Sequence, residues 1–389
     1  MGTVRSSGWR FAGGRIARAG NVAPGNASSP HRAARAAVVD ASAAVIENME
    51  SRRLLTASVI SGVLTVVGTP ANDNYSIYYN TASAKFAVVN NGVSEGSFAS
   101  SSFTSVNITT GDGNDVVATS SLPATTIDTG DGNDTITGSD KNVTVFAGSG
   151  DDTITTGKGV DFVDCGSGDD TVVDAGNGND TIAGGDGNDE IHAGGSNDSV
   201  SGGDGNDEIH GDDGNDTING NDGDDFLAWS RGSDAVFGNE GTDTYDASAA
   251  ANGYGVRVSL DDVQNDTYTL NADNDNVHSD IEVLNGSNGN DTLSGTSNDD
   301  VINGGNGHAS ISGLDGNDTL DGGNGNDTLR GGNGDDDLTG GFGNDSIFGD
   351  DGADTLHGFD LLGFDYMDGG GDADIAADYD LLFDTVVNM

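Results

Sequence analysis

Cysteine occurs once in this 389-residue chain, at Cys165, so no disulfide can close within it. Aromatic residues make up 6% and hydrophobic residues 33% of the sequence, too few for the thick core that a globule of this length normally buries. Basic residues number 14 against 65 acidic ones, leaving a net charge of −51. So acidic a body repels nucleic-acid phosphate and anionic lipid, which makes both poor partners and cations the natural ones. No run of 18 or more apolar residues is present, which argues against a membrane span. The zinc-protease signature His-Glu-x-x-His is also absent. Lysine is confined to Lys85, Lys141 and Lys158, and nothing upstream of residue 111 is long or apolar enough to serve as a pore-forming region.

What the chain has is periodicity. Aspartates stand at every ninth position through Asp180, Asp189, Asp198, Asp207, Asp216, Asp225, Asp234 and Asp243. Two residues after each comes an apolar side chain: Ile182, Ile191, Val200, Ile209, Ile218, Leu227, Val236 and Tyr245. The same register returns through Asp291, Asp300, Asp318, Asp327, Asp336, Asp345 and Asp354, and looser copies precede both at Asp115, Asp134, Asp152, Asp161 and Asp170. The clearest copies read GGDGNDEIH (Gly202 to His210) and GGNGNDTLR (Gly322 to Arg330). A fixed short period predicts a solenoid in which each repeat forms part of one turn of a stack.

Each nonapeptide divides in two. Glycines at the first, second and fourth places permit positive φ and let backbone carbonyls turn toward one point, so this half is a loop. The last three residues alternate polar, aliphatic, polar, as a half-buried strand does. Two nonapeptides therefore make a coil of 18 residues, and coils stack about 4.8 Å apart. Stacking would align the sixth-place aspartates in columns along both edges, where their charges repel. A hard cation with six to eight oxygen ligands relieves this; Ca²⁺ suits it better than Mg²⁺, which demands a smaller and stricter octahedron. Zinc or copper would require His and Cys, which these loops lack. With one aliphatic residue per nonapeptide as its core, the chain is expected to be largely disordered without the ion and to fold as it binds.

The repeat resembles the hemolysin-type calcium-binding nonapeptide of the RTX family, Gly-Gly-x-Gly-x-Asp-x-aliphatic-x, over roughly residues 111–357. The resemblance implies an all-β, right-handed parallel β-roll, calcium held between adjacent loops, and export from the cell. It also implies ligands: the sixth-place carboxylate with carbonyls of the first, second and fourth residues. The carboxylates are then Asp115, Asp134, Asp152, Asp161, Asp170, Asp180, Asp189, Asp198, Asp207, Asp216, Asp225, Asp243, Asp291, Asp318, Asp327, Asp336, Asp345 and Asp354. Asp189 would act with Gly184, Gly185 and Gly187, and Asp207 with Gly202, Gly203 and Gly205. Asp216 would act with Gly211, Asp212 and Gly214, and Asp327 with Gly322, Gly323 and Gly325. Asp336 would take Gly331, Gly332 and Gly334. Several copies depart from the pattern and are expected to be weak or empty. Ala309 replaces a carboxylate, Ser196 and Asn298 replace the fourth glycine, and Trp229-Ser-Arg-Gly-Ser precedes Asp234.

Around the repeats the chain is organised as a basic, disordered leader (1–55), a β cap (56–110), a first array (111–245), a strand-containing insertion (246–285), a second array (286–357) and a C-terminal cap (358–389). Residues 1–53 hold eight of the 14 basic residues and three acids, for a net of about +5. Arg52-Arg53 followed by Leu54 to Val67 has the form of an export signal, but Val63 to Val67 leading into Tyr75 to Tyr79 reads better as strands. Glu50 to Ala57 is similar to a short Arg-Leu-Leu element near the start of secreted proteins of some bacteria. In the insertion, Val256, Val258 and Leu260 alternate as a strand would. The end of the chain turns apolar at Leu361, Leu362, Phe364, Ile375, Leu381, Leu382 and Phe383. Its last residues, Asp384-Thr-Val-Val-Asn-Met389, resemble the uncleaved signal of type I export.

Cys165 takes the place of a first glycine and reads as a small buried residue. His192 and His210 lie 18 residues apart, so both belong on one outward, solvated face. The functional expectation is a secreted, non-enzymatic calcium-binding protein with a structural, adhesive or surface role and cell-surface or matrix components as partners. The alternative is an accessory or secretion module of an extracellular enzyme, although residues 56–110 are too few for most hydrolases.

Overall fold

The computed structural model describes residues 57–250, 255–268, 275–358, 363–371, 373–377 and 384–389. The leader expected over 1–55, the Arg-Leu-Leu element up to Thr56, and Leu361, Leu362, Leu381, Leu382 and Phe383 lie outside them. Within them the chain forms a parallel β-solenoid of about 14 coils, with no α-helix.

The 18-residue coil sets the strand register. Thr181–Asp186 pairs with Ser199–Asp204, then with Thr217–Asp222 and Ala235–Glu240, all parallel, aligning Ile182, Val200, Ile218 and Val236. The other half of each coil, Glu190–His192, Glu208–His210, Phe226–Ala228 and Thr244–Asp246, aligns Ile191, Ile209, Leu227 and Tyr245 in a second sheet. The two aliphatic columns face each other and are at most 2% exposed. Burying each such side chain contributes about 1.5–3 kcal/mol, so the core is a narrow seam two side chains wide.

At the N-terminal end the strands turn antiparallel. Ala57–Ile60 folds back on Val63–Val67, and Asn74–Asn80, Lys85–Asn90 and Val93–Ala99 form a meander. Both groups continue into the solenoid through parallel pairs with Ser105–Thr109 and Val116–Ser120. Tyr75, Ile77, Phe86, Val88 and Phe103 fill this end with a broader core.

One sheet runs unbroken through the insertion, Thr244–Asp246 pairing with Val283–Asn285 and that with Val301–Asn303. The opposite face is interrupted. There Ala235–Glu240 pairs with Asn276–Val277, which meets Thr267–Tyr268 by an antiparallel bridge between Asp275 and Asp266. Thr267–Tyr268 pairs antiparallel with Val256–Ser259, and that strand starts the next parallel sheet with Thr292–Ser294. Two extra strands thus stand on one face. Val256, Val258 and Leu260 are buried there.

Among the described residues the ladders continue past 358, where a C-terminal cap is expected to begin. Tyr366–Asp368, Ile375–Ala377 and Thr385–Val387 continue both ladders in parallel, with Met367 buried in the seam. The coils merely lengthen, so the strict period is lost from the sequence while the roll goes on. Phe364 and Ile375, read as cap residues, are exposed. No helix among the described residues is long and apolar enough to cross a membrane.

Candidate metal-binding site

The loop Gly202 to Asp207 shows why the sequence needs its glycines. Gly203 and Gly205 adopt φ of +137° and +123°, left-handed values that cost other L-residues strain. A Cβ on Gly203 would collide with the Gly185 carbonyl oxygen one coil away. A Cβ on Gly202 would collide with Asp207 Oδ2. The first glycine therefore makes room for the carboxylate, and the second for the neighbouring coil.

The carboxylates form two ladders. In the regular stretches an Asp Oδ1 accepts the backbone N–H of the column aspartate one coil earlier; Val143, Val256 and Ala309 donate in an aspartate's place to Asp161, Asp291 and Asp327. Asp152, Asp170, Asp189 and Asp207 donate in turn to Asp170, Asp189, Asp207 and Asp225 at 2.7–2.8 Å. On the other edge Asp161, Asp180 and Asp198 donate to Asp180, Asp198 and Asp216 at 2.7–2.8 Å. Asp318 donates to Asp336 and Asp327 to Asp345, both at 2.8 Å. The expected carboxylates are thus brought together column by column, and all are buried.

The second oxygen is treated differently. Oδ2 of Asp115, Asp134, Asp152, Asp161, Asp170, Asp189, Asp198, Asp207, Asp216, Asp225, Asp243, Asp318, Asp327, Asp336 and Asp354 is buried with no hydrogen-bond partner. A native fold seldom tolerates such an atom, because its desolvation goes uncompensated. Burial accordingly pushes these groups up, Asp170 to about 8 and Asp152, Asp207 and Asp216 to about 7, with neighbouring carboxylates adding to the shift. Neighbouring charges about 4.8 Å apart repel by about 3–4 kcal/mol per pair at an effective dielectric of about 20.

Carbonyl oxygens approach the glycines of the same loops. Asp207 Oδ2 and the Gly220 carbonyl both lie against the Cα of Gly202, and Asp336 Oδ2 and the Gly349 carbonyl lie against that of Gly331. The carbonyls of Gly185 and Gly187 are directed at Gly203 and Gly205, and those of Leu314 and Gly316 at Gly332 and Gly334. Among the described residues no three His, Cys, Asp or Glu side chains gather as a metal cluster. The donor set is one carboxylate with backbone oxygens, which fits a hard, oxygen-seeking divalent ion.

A family model for the RTX calcium-binding nonapeptide repeat matches residues 128–163, 144–172, 166–200, 174–209, 192–227, 230–252, 278–311, 309–338 and 330–358, together just over half of the sequence. The chain belongs to the RTX calcium-binding repeat family. No curated protein matches it. The RTX repeats imply Ca²⁺ as the ion, and the partnerless Oδ2 atoms are where its positive charge is required.

Not every RTX copy is built alike. Asp291, expected among the ligands, has both oxygens engaged: Ser287 N–H donates to Oδ2 at 2.9 Å, while Ser287 Oγ and Val256 N–H donate to Oδ1, each at 2.7 Å. Asp234 and Asp300, in copies expected to be weak, are likewise satisfied by Ser230 and Thr296. At Ala309 the ladder lacks its rung, although Ala309 N–H still donates to Asp327 at 2.7 Å.

Sequence reasoning missed other members. Asp73, in the degenerate copy beginning at Gly68, donates its N–H to Asp115 and starts one column. Glu282 accepts from Asp243 N–H at 2.9 Å in an aspartate's place. Asp374 accepts from Asp354 N–H at 3.0 Å, and Gly369-Gly370 before it was the available signal. Cys165 is fully buried and its thiol is pushed well above its ordinary value by burial, which makes it unreactive. His192 and His210 stack on the outer face with ring centroids 4.3 Å apart.

Proposed function

We propose that this RTX protein is a secreted, non-enzymatic calcium-folded β-roll with a structural, adhesive or surface role outside the cell. The observation that carries the reading is the double column of buried Oδ2 atoms lacking partners in a chain of net charge −51. Without a cation that arrangement opposes its own folding. Extracellular calcium modules bind at about 10⁻⁴–10⁻³ M, far above cytosolic calcium, so the gradient across the membrane would itself switch folding on after export. Proteins of this family are typically secreted, in keeping with that order of events. Circular dichroism during calcium titration of the chelated protein tests the reading. Strand signal should appear with the ion, and full order in excess chelator would overturn it.

A second reading, a module that positions a ligand or substrate for an extracellular enzyme, is favoured by one feature. An open groove of about 600 Å³ is lined by His192, Asp212, Trp229, Ser230 and Arg231. Assays against polysaccharide and peptide substrates, with and without calcium, separate the two. Robust turnover by this chain would refute the non-enzymatic reading.

A further inference from the structure

Four loops close on themselves. In the copies ending at Asp73, Asp234, Asp291 and Asp300, the second place holds Thr69, Ser230, Ser287 and Thr296. Thr69 N–H donates to Asp73 Oδ2 at 2.7 Å and its hydroxyl at 3.2 Å. Ser230 Oγ donates to Asp234 Oδ2 at 2.8 Å. Ser287 N–H donates to Asp291 Oδ2 at 2.9 Å. Thr296 N–H and Oγ1 donate to Asp300 Oδ2 at 2.6 and 3.1 Å. In each case the oxygen that is partnerless in the glycine copies is satisfied by the loop itself.

The backbone divides the copies in the same way. Gly185, Gly203, Gly323 and Gly332 at the second place have φ between +86° and +137°. Even Asp212, Asn221, Leu314 and Asp350 are held left-handed there, at +64° to +90°. Thr69, Ser230, Ser287 and Thr296 are not left-handed. A hydroxyl or amide donor supplies locally what the ion supplies elsewhere: positive charge density on a buried carboxylate oxygen. The converse case is Ser139. It holds the second place of a copy in which Val143 stands in the aspartate's position, and its buried hydroxyl has no partner.

We propose that a serine or threonine at the second place of the nonapeptide excludes calcium from that loop by closing it with its own donor. The closed copies lie near the limits of the metal-dependent arrays: Asp73 before the first, Asp234 next to its last copy (Asp243), and Asp291 and Asp300 at the start of the second. This rests on the calcium reading given above.

The test counts ions bound to the full chain by native mass spectrometry at saturating calcium, with amide exchange to verify folding. The double variant Ser287→Gly, Thr296→Gly should bind at least one ion more than the wild type, and Gly203→Ser at least one fewer. If Gly203→Ser fails to fold, the double variant still decides. An unchanged count in the folded double variant overturns the proposal. A wild type that binds no calcium overturns the calcium reading, and this proposal with it.

Discussion

The N-terminal cap and the roll above it share the same coil but are stabilised by different means. In the cap, Phe86 lies 5.4 Å from Phe103 and 5.2 Å from Tyr79, measured between ring centroids in edge-on contacts. Its one column carboxylate, Asp73, is engaged by Thr69 and by Asn90 Nδ2, the latter at 2.9 Å. In the roll, the nonapeptides with an open loop, such as those of Asp170, Asp207 and Asp336, each contribute one aliphatic side chain and one carboxylate with an unsatisfied oxygen. Repetition is possible there because each coil repeats its neighbour's contacts, but each also repeats its electrostatic deficit. On the proposed reading, order in the cap comes from packing, and order in the roll from packing together with a cation.

The most forceful way to break this comparison is to remove the ion. In excess chelator, amide exchange should collapse to unprotected rates across residues 111–357 while residues 57–109 keep most of their protection. Equal loss in both regions would show that the cap depends on calcium as much as the roll. Core truncation sharpens the contrast. Phe86→Ala should cost about 3–5 kcal/mol and Ile209→Ala about 2–5 kcal/mol in calcium, by denaturant titration. In chelator only the Phe86 change should still register.

Acid provides a gentler probe. Asp152, Asp207 and Asp216 are pushed up to about 7 and Asp170 to about 8, above the ordinary 3.8, so the metal-free folded roll holds protons more tightly than the unfolded chain. Stability of the metal-free roll should therefore be greatest at about pH 4 and be lost as pH rises toward 8. Circular dichroism in chelator should show strand signal growing on acidification, and calcium affinity should fall over the same range because binding displaces those protons. The smallest effect concerns Leu314, held at φ +90° in the second place of its loop. Leu314→Gly should stabilise the calcium-loaded roll by about 1 kcal/mol, read as a shift in denaturation midpoint.

The coil, the seam and both carboxylate columns were legible in the sequence because a nine-residue period imposes them directly. The exceptions were not, for identifiable reasons. Gly68 to Asp73 keeps a single glycine and the aspartate, too little to announce a loop. Glu282 reaches its rung with a longer side chain from outside the period. Asp365 and Asp374 lie 20 residues beyond Asp345 and Asp354, so spacing alone hides them. Whether an aspartate's second oxygen finds a donor in its own loop also escapes the pattern: Ser287 N–H donates to Asp291 Oδ2, whereas Asp207 Oδ2, in the loop of Gly203, has no partner. The antiparallel pairing of Arg257 with Thr267 is fixed by tertiary contact and carries no local signal.

The uneven strand count at the junction has a mechanical consequence. Adjacent strands lie about 4.8 Å apart, so one side of the stack is longer than the other by roughly 10 Å at that level. Val256, Val258, Val277 and Ile281 occupy the thick side and are fully enclosed, which turns the extra length into a solid wedge. The two added strands thus give that face a small core of its own, where the regular coils have only a seam two side chains wide.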